Sequence, residues 1–346
     1  MRPPATPAAL DDTLSTPPAA LVRALAAIDG SLVVLGAGGK MGPSLTRMAR
    51  RALDLADGAH RRREVYAVSR WSDAHAAAQL ACAGVQVITA DLTDRVAVGR
   101  LPLVPNVIFM AGQKFGSGND PVQTWEMNAV VPAWCCEHYA GARQVIFSTG
   151  NVYPLTPAAG HGAAETTTPG PVGEYAMSCL ARERIAGALG DRHRSPVALL
   201  RLNYACALTY GVLTDLAVKV RDGLPVDVTM GAVNVIWQGD ANAIALRLLA
   251  HCDTPAVPVN VTGAETLRVR DLATALGARL GREPVLTGTE APDALLSDAR
   301  ALASRLEGDL HLMPLDTLLD WTADWVRERR PLLGKATKFE VRDGRF

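Results

Sequence analysis

The chain has 346 residues, enough for a large core in one α/β domain with an appended lobe or in two modest domains. Its 35 basic and 35 acidic residues balance without any block of like charge, and only 5% of the chain is aromatic. That excludes both an electrostatic footprint for nucleic acid or an anionic membrane and a stacking platform for bases.

Residues 1–16, with Pro3, Pro4, Pro7 and Asp11-Asp12, read as a flexible arm. Thr16-Pro17 then opens a helix through Ile28, closed by Gly30. From there short apolar runs alternate with helical stretches: Leu32 to Leu35, Val65 to Val68, Val85 to Ile88, Val107 to Met110, Val145 to Phe147 and Val197 to Leu202. This alternation predicts an α/β fold, a Rossmann-type doubly wound parallel sheet over residues 17–203. Beyond Asn203 the rhythm loosens into helices over 208–222, 239–252, 270–281 and 315–329, with apolar runs at Val226 to Val228, Val233 to Trp237 and Val257 to Val261. Residues 204–346 are therefore expected to form mainly a smaller C-terminal substrate lobe, partly woven back into the first domain. The tail Lys335 to Phe346 mixes charge with Phe339 and Phe346, a composition suited to docking on the body or on a partner chain.

The stretch Leu32-Val33-Val34-Leu35-Gly36-Ala37-Gly38-Gly39-Lys40-Met41-Gly42 runs an apolar strand into a glycine-rich turn and then a helix from Pro43 to Asp54. Gly36 allows the tight turn, Gly39 lets backbone amides approach a pyrophosphate, and Gly42 lets the helix pack on the sheet. With Gly38, Lys40 and Met41 they form the expected dinucleotide cradle at a helix N-terminus. Past the second strand stand Ser69-Arg70, where an NAD site would offer a carboxylate to the ribose 2′-hydroxyl. A hydroxyl and a five-donor guanidinium suit a 2′-phosphate, so NADP is favoured and NAD is the alternative. After the third strand, Asp91 can meet the adenine amino group while Leu92 packs on the ring.

Six cysteines (Cys82, Cys135, Cys136, Cys179, Cys206 and Cys252) form no C-x-x-C pair, and seven histidines do not join them at metal-ligand spacing. Reduced thiols and no metal are expected. Neither a basic n-region with an apolar core nor 18 uninterrupted apolar residues occurs, so the expectation is a soluble, cytoplasmic protein with a small-molecule substrate and no membrane partner.

Taken together, the glycine run, Asp91-Leu92, Ala111-Gly112, Asn128, Ser148-Thr149-Gly150-Asn151-Val152-Tyr153 and Tyr175 resemble the extended short-chain dehydrogenase/reductase family, the NAD(P)-dependent epimerases and dehydratases. The resemblance covers residues 31 to 330. It implies that Ala111, Gly112 and Asn128 border the cofactor and that Thr149 and Tyr175 do chemistry: Thr149 hydrogen-bonds the substrate oxygen, Tyr175 exchanges its proton, and the nicotinamide carries hydride. The family also places a lysine four residues after the tyrosine, where its charge stabilises the phenolate. Here Tyr175-Ala176-Met177-Ser178-Cys179 supplies a thiol instead.

Two cations stand as substitutes: Lys114, just past the fourth strand, and Arg182, on the helix face of Tyr175. Lys114 is preferred, because it supplies a compact ammonium from a different backbone position. Relatives that act on nucleotide sugars carry an arginine seven residues before the Asp of a late motif; the matching position before Asp240 is Val233. Their Arg-x-x-Asn is shortened here to Arg201-Leu202-Asn203. A smaller sugar, sugar acid or hydroxy ketone is the better fit, with Asn151, Asn203, Tyr204, Asn234, Trp237 and Gln238 as expected lining residues. The alternatives are a nucleotide-sugar epimerase or dehydratase and a non-catalytic NADP-binding sensor or scaffold. A homodimer through the helices carrying Asn128 and Tyr175, with Trp134, Cys135, Cys136, Met177 and Leu180 at the seam, is the expected oligomer.

Overall fold

A computed structural model describes residues 3–58, 62–335 and 337–345. Seven parallel strands form the central sheet: β1 (Leu32–Leu35), β2 (Val65–Ser69), β3 (Gln86–Thr89), β4 (Asn106–Phe109), β5 (Arg143–Thr149), β6 (Val197–Leu202) and β7 (Val257–Val261). Their order is β7-β6-β5-β4-β1-β2-β3. Strands covered by helices on both faces lose any polar alternation, and every side chain of β1 and β4 is buried. Leu35 pairs with Val68 on one side and Phe109 on the other, so β1 and β4 flank the point where strand order reverses, and a crevice opens beyond their carboxyl ends.

One face of the sheet packs α2 (Ala19–Ala26), α3 (Gly42–Asp57) and α10 (Gln238–Arg247); the other packs α7 (Val131–His138) and α8 (Gly173–His193). A separate core joins α9 (Val212–Asp222), α11 (Val269–Leu280) and α13 (Leu315–Arg327) into the C-terminal lobe, while β7 returns to the sheet edge beside β6. Among the described residues, no helix is long and apolar enough to cross a membrane.

The expected flexible arm is corrected by the structure. Residues Pro7–Leu14 form helix α1, capped by the Thr6 side chain, and Leu10 and Leu14, one turn apart, bury against the C-terminal lobe core. Arg330 Nη1 further donates to the Pro4 carbonyl at 3.2 Å. Met1 and Arg2, at the start of that arm, lie outside the described residues, as does Phe346. The described tail residues dock on the body: Phe339 is fully buried, Thr337 donates from its amide and hydroxyl to Asp215, and Arg342 bonds Asp293.

Candidate active site

The turn after β1 is shaped by what surrounds its glycines. Gly36 has φ +88°, and a Cβ there would fall 2.6 Å from the Ala111 amide nitrogen at the end of β4. At Gly38 a Cβ would meet the Ser69 hydroxyl at 2.5 Å, so its bareness lets the turn close onto β2. Helix-to-sheet packing, expected of Gly42, is not what excludes a side chain there. A Cβ on Gly42 would instead fall 2.2 Å from the Ala37 carbonyl oxygen of the turn itself. Met41 precedes α3 without a side-chain cap, which leaves first-turn amides to an anion such as a pyrophosphate. Glycine cradle, uncapped helix and switch-point crevice fit a dinucleotide.

Beyond β2 and β3 a cavity of about 490 Å³ gathers Arg70, Asp91, Thr93 and Gly112. Arg70 is 68% exposed and sits 3.8 Å from Asp91. The Thr93 amide and hydroxyl donate to Asp91 and, with Arg70, hold its carboxyl below the usual carboxylate range. Leu92, expected against the adenine, is buried in the core under the sheet with Val98 and Leu101, because its side chain turns inward where Asp91 turns out.

Between the cradle and the C-terminal lobe lies a cavity of about 390 Å³, lined among others by Lys40, Lys114, Thr149, Tyr175, Tyr204 and Gln238. Asn151 and Asn203 also border it. Thr149 ends β5, where its hydroxyl accepts from the Asn151 side chain at 2.9 Å and shares a hydrogen bond with Tyr175. The Tyr175 hydroxyl touches Cys179 as well, one turn along α8. Burial first, and then the neighbouring thiol, push the phenol above its ordinary pKa, against the pull of Thr149 and Arg182. The Lys114 ammonium stands 5.6 Å from the centre of the Tyr175 ring. Burial, then the charge of Lys40, lower its pKa to about 8.

Arg182, the other substitute, is a structural group: its guanidinium donates to the Asn128 carbonyl and side chain and to the Phe147 carbonyl at 2.7–3.0 Å. Asn128, in the π-helical turn Glu126–Val130, pins both backbone groups of Gln113. It is fully buried, so it acts on the loop that carries Lys114. Asn234 and Trp237 are corrected: neither lines this cavity. Asn234 ties the Glu265 carbonyl to the Ser297 amide, and Trp237 packs edge-to-face on Trp321 in the lobe core. Gln238 reaches the cavity but is held by the Ser44 hydroxyl at 3.0 Å.

Sequence reasoning did not find the polar chain beneath the site. Ser148 donates to Glu183, Glu183 receives Arg201 in a buried ion pair at 2.6 Å, Arg201 donates to the Tyr153 hydroxyl, and Tyr153 donates to Asn260. Its one signal is the charge of Arg201 inside otherwise apolar β6. The tail residue Thr337 and the ring of Tyr210, both lining the cavity, carried no signal either.

Asp240, half-buried at the start of α10, accepts from the Met313 amide at 2.7 Å, yet burial raises its pKa to about 6. A carboxyl raised from 3.8 favours folding only while protonated, so its contribution is complete below pH 4 and lost as pH rises through 6. Asp240→Asn is expected to stabilise the fold by about 1–2 kcal/mol at pH 8 and by nearly nothing at pH 4, read from urea midpoints at both pH values.

A seven-stranded parallel sheet, a glycine cradle at its switch point and a Thr–Tyr pair over the next strand end define an extended short-chain dehydrogenase/reductase. Residues 32–229 match the NAD dependent epimerase/dehydratase family, and the chain belongs to that family. No curated protein matches it. Among solved structures, it is similar to WbmG of Bordetella bronchiseptica in complex with NAD (18% identity, TM-score 0.70, 87% of this chain and 95% of that one). It is also similar to Pal of Bacillus thuringiensis (17%, 0.69, 87% and 100%). A third likeness is to UDP-glucose 4-epimerase of Thermus thermophilus in complex with NAD (22%, 0.67, 86% and 99%).

Proposed function

We propose that the protein is an NADP-dependent oxidoreductase or epimerase of a small carbohydrate-like substrate, with Thr149, Tyr175 and Lys114 as its catalytic residues. One observation carries this reading: the Tyr175 hydroxyl, bonded to Thr149, shares a cavity with the glycine cradle and with the Lys114 ammonium. Gly36 to Gly42 would hold the dinucleotide, which when bound supplies a hydride acceptor or donor at its nicotinamide. Thr149 orients the substrate oxygen, and Tyr175, kept a neutral phenol by burial, gives that oxygen a proton as a carbonyl is reduced. As that proton leaves, Lys114 offsets the charge of the phenolate, which in the opposite direction takes the proton back from the alcohol.

A cavity of about 390 Å³, bordered by the tail, has to hold the nicotinamide end of the cofactor as well as the substrate. This supports a small substrate over a nucleotide sugar, even though the Thermus relative is a UDP-glucose 4-epimerase. Retention of both Thr149 and Tyr175 favours an enzyme over a sensor. The test is absorbance at 340 nm of the protein with NADP+ or NADPH and pooled sugars, sugar acids and hydroxy ketones. No change with tight cofactor binding in that pool favours the sensor, unless isomerised products show that hydride has been returned.

The choice of NADP rests on Arg70, whose exposed guanidinium stands at the mouth of the Asp91 cavity. Arg70→Ala is expected to weaken NADP+ about tenfold, some 1.4 kcal/mol, and NAD+ less than twofold, as measured by fluorescence titration. A homodimer through the helical segment that carries Asn128 and through α8 is supported by the exposed side chains of Val130 and Met177. Cys135 and Cys136 do not contribute to that seam, since both point into the core.

A further inference from the structure

Lys40 belongs to the glycine-rich turn by sequence, yet its side chain leaves it. The ammonium lies 3.5 Å from the centre of the Tyr210 ring, which precedes α9, and 4.4 Å from that of Phe115, on the loop after β4. The second lysine of the cavity, Lys114, faces the same Phe115 ring at 5.8 Å. Two ammonium groups thus flank one aromatic ring, and none of the described residues lining the cavity is acidic.

The charge of Asp215 offsets only part of this, since burial and like charge still lower the pKa of Lys40. Asp215 accepts two hydrogen bonds from Thr337, and Glu340 pairs with Lys219. The tail adds charge of the same sign, because Lys335 acts on Lys40 and Lys338 on Lys114. Burial together with these like charges lowers both cavity lysines to about 8. A bound anion would relieve the repulsion between these like charges.

Resting on the reading of the site as an alcohol–carbonyl oxidoreductase, we infer that Lys40 is a substrate ligand and that the substrate is a small polyhydroxy compound bearing an anionic oxyacid group, a carboxylate or a phosphate. The hydroxyl-bearing carbon lies by Thr149 and Tyr175. The anionic group lies between Lys40 and the tail, whose Thr337 walls that side and whose Phe339 anchors it in the lobe core.

The test is calorimetric titration of the full chain saturated with NADP+, using gluconate, glucose 6-phosphate and the neutral polyol sorbitol. Gluconate or glucose 6-phosphate is expected to bind at least tenfold more tightly than sorbitol, and the better of the two identifies the anionic group. Lys40→Met is expected to erase that preference while changing the NADP+ dissociation constant less than threefold. Equal binding of the three probes, or no binding of either anion, overturns the inference. So does a Lys40→Met variant that keeps the preference, or one that loses NADP+ affinity tenfold, which would make Lys40 a cofactor ligand. These outcomes are separate from the oxidoreductase reading, which fails instead if Tyr175→Phe retains wild-type turnover.

Discussion

Lys114→Met is expected to lower turnover about a thousandfold, within the range for removing a group that supports proton transfer, while dinucleotide affinity stays within twofold. The same substitution is expected to stabilise the fold. A lysine whose pKa falls from 10.5 to about 8 is penalised in its charged form by the folded state. The unfolded chain then binds more protons between pH 8 and 10.5, so stability rises with pH across that window and the penalty is complete below 8. Removing the charge should therefore raise stability at pH 7 by about 1–3 kcal/mol, a gain that fades as pH approaches 10.5. Gain of stability with loss of turnover is the mark of a residue kept for its chemistry. Wild-type turnover in Lys114→Met, or a loss of stability, would sink the assignment. In the wild type, turnover in the direction that needs the ammonium should decline above pH 8 as Lys114 deprotonates.

In the proposed reading, the lysine missing from the Tyr-x-x-x-Lys pattern is compensated from two sides. Cys179 is 1% exposed and packs with Val152, Tyr153 and Ala163, so that turn of α8 is filled by small and apolar groups. Three residues further on, Arg182 places a guanidinium behind Tyr175 and spends its donors on Asn128 and Phe147. Its fixed charge draws both the phenol and the thiol down, while its hydrogen bonds hold the end of β5 and the π-helical turn together. Lys114, from the loop that Asn128 pins, faces the ring from the cavity. One cation thus acts as a structural background and the other as the group that can titrate.

How much was legible follows from the range of the interactions involved. The strands were readable because buried parallel strands are continuous apolar runs, and the cradle because a local turn dictates its own glycines. The helix in the arm escapes the sequence because Leu10 and Leu14 give only one apolar turn, and the lobe core they join begins at Cys206. Asn234 and Trp237 were misplaced for a related reason. They sit in or beside short strands whose facing direction is set by pairing with Leu267 and Cys206, which the sequence does not announce. The tail is polar in composition, and it is held by hydrogen bonds from Thr337 and Arg342 that leave no periodic trace. Lys114 could be placed beside the site because it follows a strand end directly. Lys40 was read only as part of the cradle, since a side chain's reach across a cavity depends on where Tyr210 and Phe115 stand.

Glu183→Gln is expected to cost about 3–5 kcal/mol, because it strips the charge from a pair whose side chains are 5% and 2% exposed and leaves the Arg201 cation buried alone. Burial by itself would lower the pKa of Arg201, and the bonds and charge of Glu183 more than reverse that. The replacement amide oxygen can still accept from Ser148 and Arg201 Nε, but its NH2 group would face the Arg201 Nη2 donor that the second carboxylate oxygen now accepts. Urea unfolding would register the loss as a lower midpoint with an unchanged slope. The double variant Glu183→Leu with Arg201→Met should recover most of it, since an apolar pair of similar volume avoids the desolvation of both ions. Stability alone therefore does not explain why the chain retains the pair. Ser148 adjoins Thr149, and Arg201 holds Tyr153 at the other end of the same turn, so the ions fix the strand end on which the Thr149 hydroxyl is carried. The double variant should accordingly fold with near-native stability yet show a lower kcat with cofactor affinity unchanged. Native kcat in that variant would leave the ion pair without a positioning role.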